Sequence, residues 1–241
     1  MNKVKGGKNI CGVSIGVLSL ESYFPKPPGH IKNPSSLPFT TSYEILTGIS
    51  VPDLLYNPTA EMEQQIIDAA LRLEQQGVKA ITGSCGFLAI YQQAIVQAVS
   101  IPVFVSSLIQ IPLAYQMTGR TVGVITADST SLTDRHLQGV GVQRDQIVVA
   151  GLEHTQEFAK VILRNETNDM DMDLVTGEVL AAAKNLLQAH PEIGSLVLEC
   201  TDLPPYAHEL QAKLGIPIFD LTTLSTMVNN VVTRQPFKGY I

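Results

Sequence analysis

Two cysteine-bearing segments recur in this chain 115 residues apart, and that repeat limits the possible fold more than any other feature. Thr82-Gly83-Ser84-Cys85-Gly86-Phe87 follows the apolar run Val78-Lys79-Ala80-Ile81, and Leu198-Glu199-Cys200-Thr201-Asp202-Leu203 follows Ser195-Leu196-Val197. Tyr91 and Tyr206 each lie six residues beyond their cysteine, and Pro102 and Pro217 each lie seventeen beyond, with Val103-Phe104 and Ile218-Phe219 next. An earlier echo pairs Ile15-Gly16-Val17-Leu18-Ser19 with Val122-Gly123-Val124-Ile125-Thr126 at 107 residues, a difference that loops absorb. Strand, turn and helix repeated in fixed order predict two similar α/β units.

Apolar runs this short are buried parallel strands, and their alternation with helical patterns means α/β architecture. After a first strand that opens near Ile15, the spacing predicts helices over 60–76, 87–99, 109–117, 130–138, 153–164, 172–189, 204–213 and 222–234. Strands are predicted at 78–83, 102–106, 121–126, 147–150, 194–199 and 216–219. The expected architecture is two open parallel-sheet lobes related by a pseudo-twofold axis, with the active site between them. Residues 1–118 form the first lobe and 119–217 the second, and 218–241 cross back to complete the first. Residues 23–40 hold Pro25, Pro27, Pro28, Pro34 and Pro38. That segment is neither a long helix nor a central strand, and reads as a lid or as a dimer contact.

Composition removes several classes of function. At 45% hydrophobic and 16% charged residues, with net charge −6, the chain is expected to be compact, without a nucleic-acid surface. Its one basic cluster, Lys3, Lys5 and Lys8, precedes the apolar stretch 10–20 as in a secretory signal, but no small-x-small cleavage site follows. No apolar run reaches the roughly 18 residues of a membrane span. Three cysteines point to a reduced, cytoplasmic setting rather than a disulfide framework, and Cys11 reads as a small buried residue. Asp169, Asp171 and Asp173 read as helix-capping residues, since the later ligand positions of a calcium loop are missing. His208 is expected at the surface or as a cap. Neither zinc-ligand spacing nor a nucleotide-binding glycine motif occurs, so no metal and no cofactor are expected.

Each cysteine is placed at a strand's carboxyl end before a helix, where ligands bind in open α/β sheets and where the helix dipole lowers a thiol pKa. Two such thiols across a cleft suit inversion of a carbon centre, one removing a proton and the other returning it. The two cysteine turns, Cys200-Thr201 in particular, together with Gly123-Val124-Ile125-Thr126 opening the second lobe, resemble the aspartate/glutamate racemase superfamily. That superfamily also includes hydantoin racemases, arylmalonate decarboxylases and maleate isomerases. The resemblance covers nearly the whole chain. It implies a cofactor-independent racemase or epimerase, a homodimer, acting on an amino acid or related carboxylate with Cys85 and Cys200 as the two bases.

The flanking residues depart from the family. Cys85-Gly86-Phe87 stands where amino-acid racemases commonly show Cys-Asn-Thr, and Cys200-Thr201-Asp202 stands where they show Cys-Thr-His. Substrate contacts are therefore expected from the backbone N–H groups of Gly86 and Phe87, from Thr201, and from Asp202 toward an ammonium group, with Phe87 adding apolar area. Ser19 and Thr126, at equivalent strand ends, either touch substrate or cap a turn. Glu199 is expected to point away from the site, because adjacent strand residues alternate faces. A decarboxylase or cis-trans isomerase on the same scaffold, and a binding protein without catalysis, are the alternatives. A cysteine hydrolase is disfavoured because no histidine is placed by sequence to pair with either thiol.

Overall fold

The computed structural model describes residues 6–240. Strands β1 (Ile15–Glu21), β2 (Thr41–Ser50), β3 (Ala80–Gly83) and β4 (Val103–Phe104) form one parallel sheet in the order β2-β1-β3-β4. Strands β5 (Thr121–Thr126), β6 (Ile147–Gly151), β7 (Ile193–Leu198) and β8 (Ile218–Phe219) form a second in the order β6-β5-β7-β8. Helices α1 (Val51–Tyr56), α2 (Ala60–Gln76), α3 (Gln92–Ala98) and α4 (Ile111–Thr118) precede β5; α5 (Asp134–Gly139), α6 (Met172–Ala189), α7 (Ala207–Leu214) and α8 (Leu221–Val232) follow it.

The repeat extends to strand register. Gly16 pairs with Ile81 as Gly123 pairs with Leu196, and Ile81 pairs with Val103 as Leu196 pairs with Ile218. Ser84 donates its N–H to Leu18 O at 2.9 Å, and Glu199, its counterpart, donates to Ile125 O at 2.8 Å. The repeated glycine has a packing cause. A Cβ on Gly16 would press on Leu73 of α2, and one on Gly123 on Leu196 and on Leu186 of α6, so glycine lets each long helix settle on its central strand. Caps hold those helices at the expected ends: Thr59 and Gly77 bound α2, and Asp171 accepts the N–H groups of Asp173 and Leu174 to open α6.

The structure corrects several expectations. β2 was not predicted; it is an edge strand whose mixed exposure presents neither a continuous apolar run nor a clean alternation. Ile218 and Phe219 hydrogen-bond to β7 in the second sheet, so the chain crosses back after Phe219 rather than before Ile218. Beyond that point Leu221 and Leu224 of α8 pack with Ile15, Val17, Ala80 and Phe104 of the first sheet. The helix expected at 153–164 is a short turn ending in the π-helical segment Ala159–Leu163, and the one expected from 130 starts at Asp134, because Asp128 first caps a turn at Thr130 and Ser131. Cys11 is exposed rather than buried. Lys3 and Lys5 lie outside the described residues. No helix among the described residues is long and apolar enough to cross a membrane.

One buried apolar cluster runs through both lobes and contains both Cys85 and Cys200. The lobes therefore share a core, and the cysteines sit within it.

Candidate active site

Both cysteines occupy the turn directly after the third strand of their unit, β3 and β7, each followed by a 3₁₀ turn, Gly86–Tyr91 and Pro204–Tyr206. Each turn is pinned by the opposite lobe. Thr201 donates its hydroxyl to Ser84 O at 2.6 Å, and Ser107 donates to Leu198 O at 2.6 Å, so the residues before each thiol are tied across the boundary. Cys85 and Cys200 are 6% and 5% exposed. A cavity of about 120 Å³ lies where the carboxyl end of β1 meets the second lobe, lined among others by Glu21, Ser22, Phe24, Ile162 and Asn165, and neither cysteine lines it.

Two carboxylates flank the thiols. Glu199 is fully buried, contrary to the expectation that it points away: the strand has ended at Leu198, so strand alternation no longer governs its direction. Its Oε2 accepts from Thr126 Oγ1 at 2.8 Å, its Oε1 has no hydrogen-bond partner, and its carboxyl group lies against Gly86. Burial pushes the Glu199 pKa up to about 8, with Asp202 adding to the rise. Asp202 accepts from the Cys200 thiol at 3.3 Å through Oδ2 and meets His30 Nε2 at 2.8 Å through Oδ1. Burial works against ionisation of Asp202, but His30, the Cys200 S–H and Lys26 outweigh it and hold its pKa below the usual value.

These neighbours reverse one expectation. Helix amino termini were expected to lower the thiol pKa values; instead burial, then Glu199, raises Cys85 well above the usual thiol range. Burial, then Asp202, Glu199 and Cys85, raises Cys200 likewise. The only local helical help at Cys85 comes from the Phe87 N–H. Turns this short lack the aligned peptides of a full helix, and the desolvation of a charge inside a core outweighs them.

The other expected residues divide. Thr126 and Asp202 meet the groups around the thiols. Ser19 is buried with its hydroxyl unpaired, while Thr201 spends its hydroxyl on the bond between lobes. Gly86 is where Glu199 approaches, and Phe87 stacks edge-to-face on His136 with centroids 5.0 Å apart, as a core residue rather than a free pocket wall. His208 is exposed. Residues 23–40 fold over the second lobe: His30 reaches Asp202, and Gly29, at φ +104, lies against the backbone of Pro204 and Pro205.

Sequence reasoning missed His30, Glu199 and Lys26. His30 is the only histidine in the proline-rich segment, and Glu199 is the repeat counterpart of Ser84; both signals were present but carried no direction. Lys26 has a pKa lowered to about 8 by burial, and Asp202 acts against that fall. Among the described residues no cluster of three or more acidic, histidine or cysteine side chains could hold a metal ion.

Residues 110–227 match the profile of the Asp/Glu/Hydantoin racemase family. The chain is 29% identical over 221 residues to a dimethylsulfoniopropionate lyase of Durusdinium sp. clade D, covering 88% of this chain and 72% of that protein. It is 28% identical over 244 residues to dimethylsulfoniopropionate lyase 3 of Emiliania huxleyi, covering 93% of this chain and 61% of that one. With lyase 5 of the same organism the identity is 31% over 238 residues, 94% of this chain but 47% of the relative. In structure it resembles an arylmalonate decarboxylase variant at TM-score 0.60 and 17% identity, covering 94% of this chain and 97% of that one. A glutamate racemase from Bacillus anthracis aligns at TM-score 0.56 and 19% identity, over 92% and 84% of the two chains.

Proposed function

We propose that this chain, which belongs to the aspartate/glutamate racemase superfamily, is a cofactor-independent lyase that acts on dimethylsulfoniopropionate or a close β-sulfonio carboxylate. The observation that carries this reading is the charge of the site. The Asp202 carboxylate, held ionised beside the Cys200 thiol, suits a substrate bearing a positive charge, and the Glu199 carboxyl, with a pKa of about 8, adds negative charge only as it ionises above neutral pH. The sulfonium group supplies that charge, and the lyase relatives supply the substrate class.

Lyase and racemase chemistry share a first step, removal of a proton from the carbon beside a carboxylate. In the lyase reaction a cysteine thiolate takes the Cα proton. The C–H electron pair becomes the new double bond, and the Cβ–S pair leaves on sulfur. Acrylate and dimethyl sulfide result, and the thiol returns its proton to water. A bound cation also lowers the cost of forming a thiolate beside Glu199 and Asp202. The departures from the racemase pattern agree: Asp202 in place of histidine favours a cation, and neither Gly86 nor Phe87 offers the polar side chains of Cys-Asn-Thr.

The test is release of dimethyl sulfide into the headspace over purified protein and dimethylsulfoniopropionate. Cys85→Ser and Cys200→Ser are each expected to lower the rate by about a hundredfold or more. No release by the parent chain, or normal release by both variants, overturns the reading. A racemase remains the second reading, favoured by the equivalent placement of the two cysteines. It predicts deuterium entering Cα of an amino acid or carboxylate in heavy water without any sulfide release.

A further inference from the structure

His30 lies 172 residues from Asp202 in the chain and is 2% exposed, yet its ring is fully engaged. The Lys32 N–H donates to His30 Nδ1 at 2.8 Å, so the ring proton sits on Nε2 and is directed at Asp202 Oδ1, 2.8 Å away. The backbone carries the ring with equal care. His30 O accepts from Ser36 Oγ at 2.7 Å, Ser36 Oγ accepts from the Gly29 N–H at 2.9 Å, and Ile31 is buried on the first sheet beside Leu37. The other oxygen of Asp202 accepts the Cys200 thiol. A line of hydrogen bonds thus runs from the first-lobe segment, through Asp202, to the second-lobe cysteine.

We propose that His30 is a positioning residue for Cys200: its Nε2–H fixes the Asp202 carboxylate against the thiol, so that docking of residues 23–40 on the second lobe governs the proton held by that cysteine. The proline-rich segment is then a working part of the proton-transfer pair and not only a cover. Cys200 is also faced by Glu199 and Cys85, and Asp202 by Lys26, Lys32 and Tyr206, so the test must separate His30 from all of these. This proposal rests on Cys200 being a site thiol, but its readout needs no substrate and stands apart from the lyase assay.

The experiment measures the rate of iodoacetamide labelling of Cys200 against pH in the full chain, with the modified peptide identified by mass spectrometry. Two variants divide the contacts of His30. His30→Asn keeps an acceptor for the Lys32 N–H, in the manner of an Asx turn, but is too short to reach Asp202. His30→Gln restores a donor near the position of Nε2. At the alkaline pH where Cys200 titrates Asp202 is ionised, and without the donor its charge is less compensated and opposes the thiolate more strongly. The midpoint for Cys200 is expected to rise by about one pH unit in His30→Asn, to return toward the parent in His30→Gln, and to fall below the parent in Asp202→Asn. The double variant His30→Asn/Asp202→Asn is expected to fall as far as Asp202→Asn alone. A faster rate with an unmoved midpoint in His30→Asn, while Asp202→Asn shifts it, means that His30 merely shields the thiol and overturns the proposal. If His30→Asn does not fold, an Asp202→Asn midpoint equal to that of the parent overturns it equally, and a lowered one supports it.

Discussion

Glu199 packs against Gly86 across the lobe boundary so closely that a methyl group on Gly86 would collide with both the carboxyl group and the main-chain oxygen of Glu199. The first cysteine turn therefore has glycine at this position because a buried acid from the other lobe occupies the space of its side chain. Gly86→Ala should separate the lobes locally and destabilise the protein by about 1–3 kcal/mol, read by urea denaturation. Adding Glu199→Ala should recover only part of the loss, since the main-chain oxygen stays in place. Full recovery would show that the carboxyl group alone sets the constraint.

The same acid makes a signed pH prediction. Its folded pKa, about 8, lies above its ordinary value of 4.5, so between those limits the native state holds more protons than the unfolded state. Its contribution is present below the unfolded pKa and is lost as pH rises through the folded one. Relative to Glu199→Gln, the parent should lose stability steadily from about pH 5 to about pH 9. Parallel stability curves for the two proteins would mean that Glu199 ionises freely in the fold.

Thr201 is the one residue retained from the family's signature at the second cysteine, and its hydroxyl closes a 2.6 Å bond to Ser84 O in the other lobe. Thr201→Val keeps the shape but leaves a buried carbonyl without that donor, at a cost of about 1–3 kcal/mol. Thr201→Ser should behave like the parent in thermal melting. Equal losses in both variants would assign the role to the methyl group instead.

The thiols should label in a set order. Cys11 is exposed, whereas Cys85 and Cys200 are buried and raised well above the usual thiol range, so little thiolate forms at either near neutral pH. Iodoacetamide at neutral pH should modify Cys11 first, with Cys85 and Cys200 gaining rate only as the solution is made strongly alkaline. Rapid labelling of Cys85 or Cys200 at neutral pH would contradict the charge environment described above.

Much of the fold was legible in the sequence. Pro102 and Pro217, each just before an apolar pair, located β4 and β8, and the echo around Gly16 and Gly123 paired the opening strands of the two units; that these glycines admit a long helix is visible only in the packing. Capping residues ended α2 and α6 where expected. The lost element, β2, failed because an edge strand half open to solvent carries no clean periodicity, although its counterpart β6 was found. At the site, both cysteines were placed correctly at strand ends, while the direction of their pKa shifts was reversed, since helix dipoles are visible in a local pattern and desolvation is not.

The sequence by itself determined that this protein is a duplicated α/β unit with one cysteine at the same place in each half. Those are properties of residues close together in the chain, repeated in order, and they survive translation into strand register residue by residue. The unequal flanks were legible too; only the tertiary structure decided how the two thiols differ in their surroundings. Cys85 faces Glu199 beside a glycine, and the Cys200 thiol donates a hydrogen bond to an aspartate held by a histidine 172 residues from it in the chain. Charge and desolvation act through space, and the burial that makes them strong exists only once both lobes have closed on a common core.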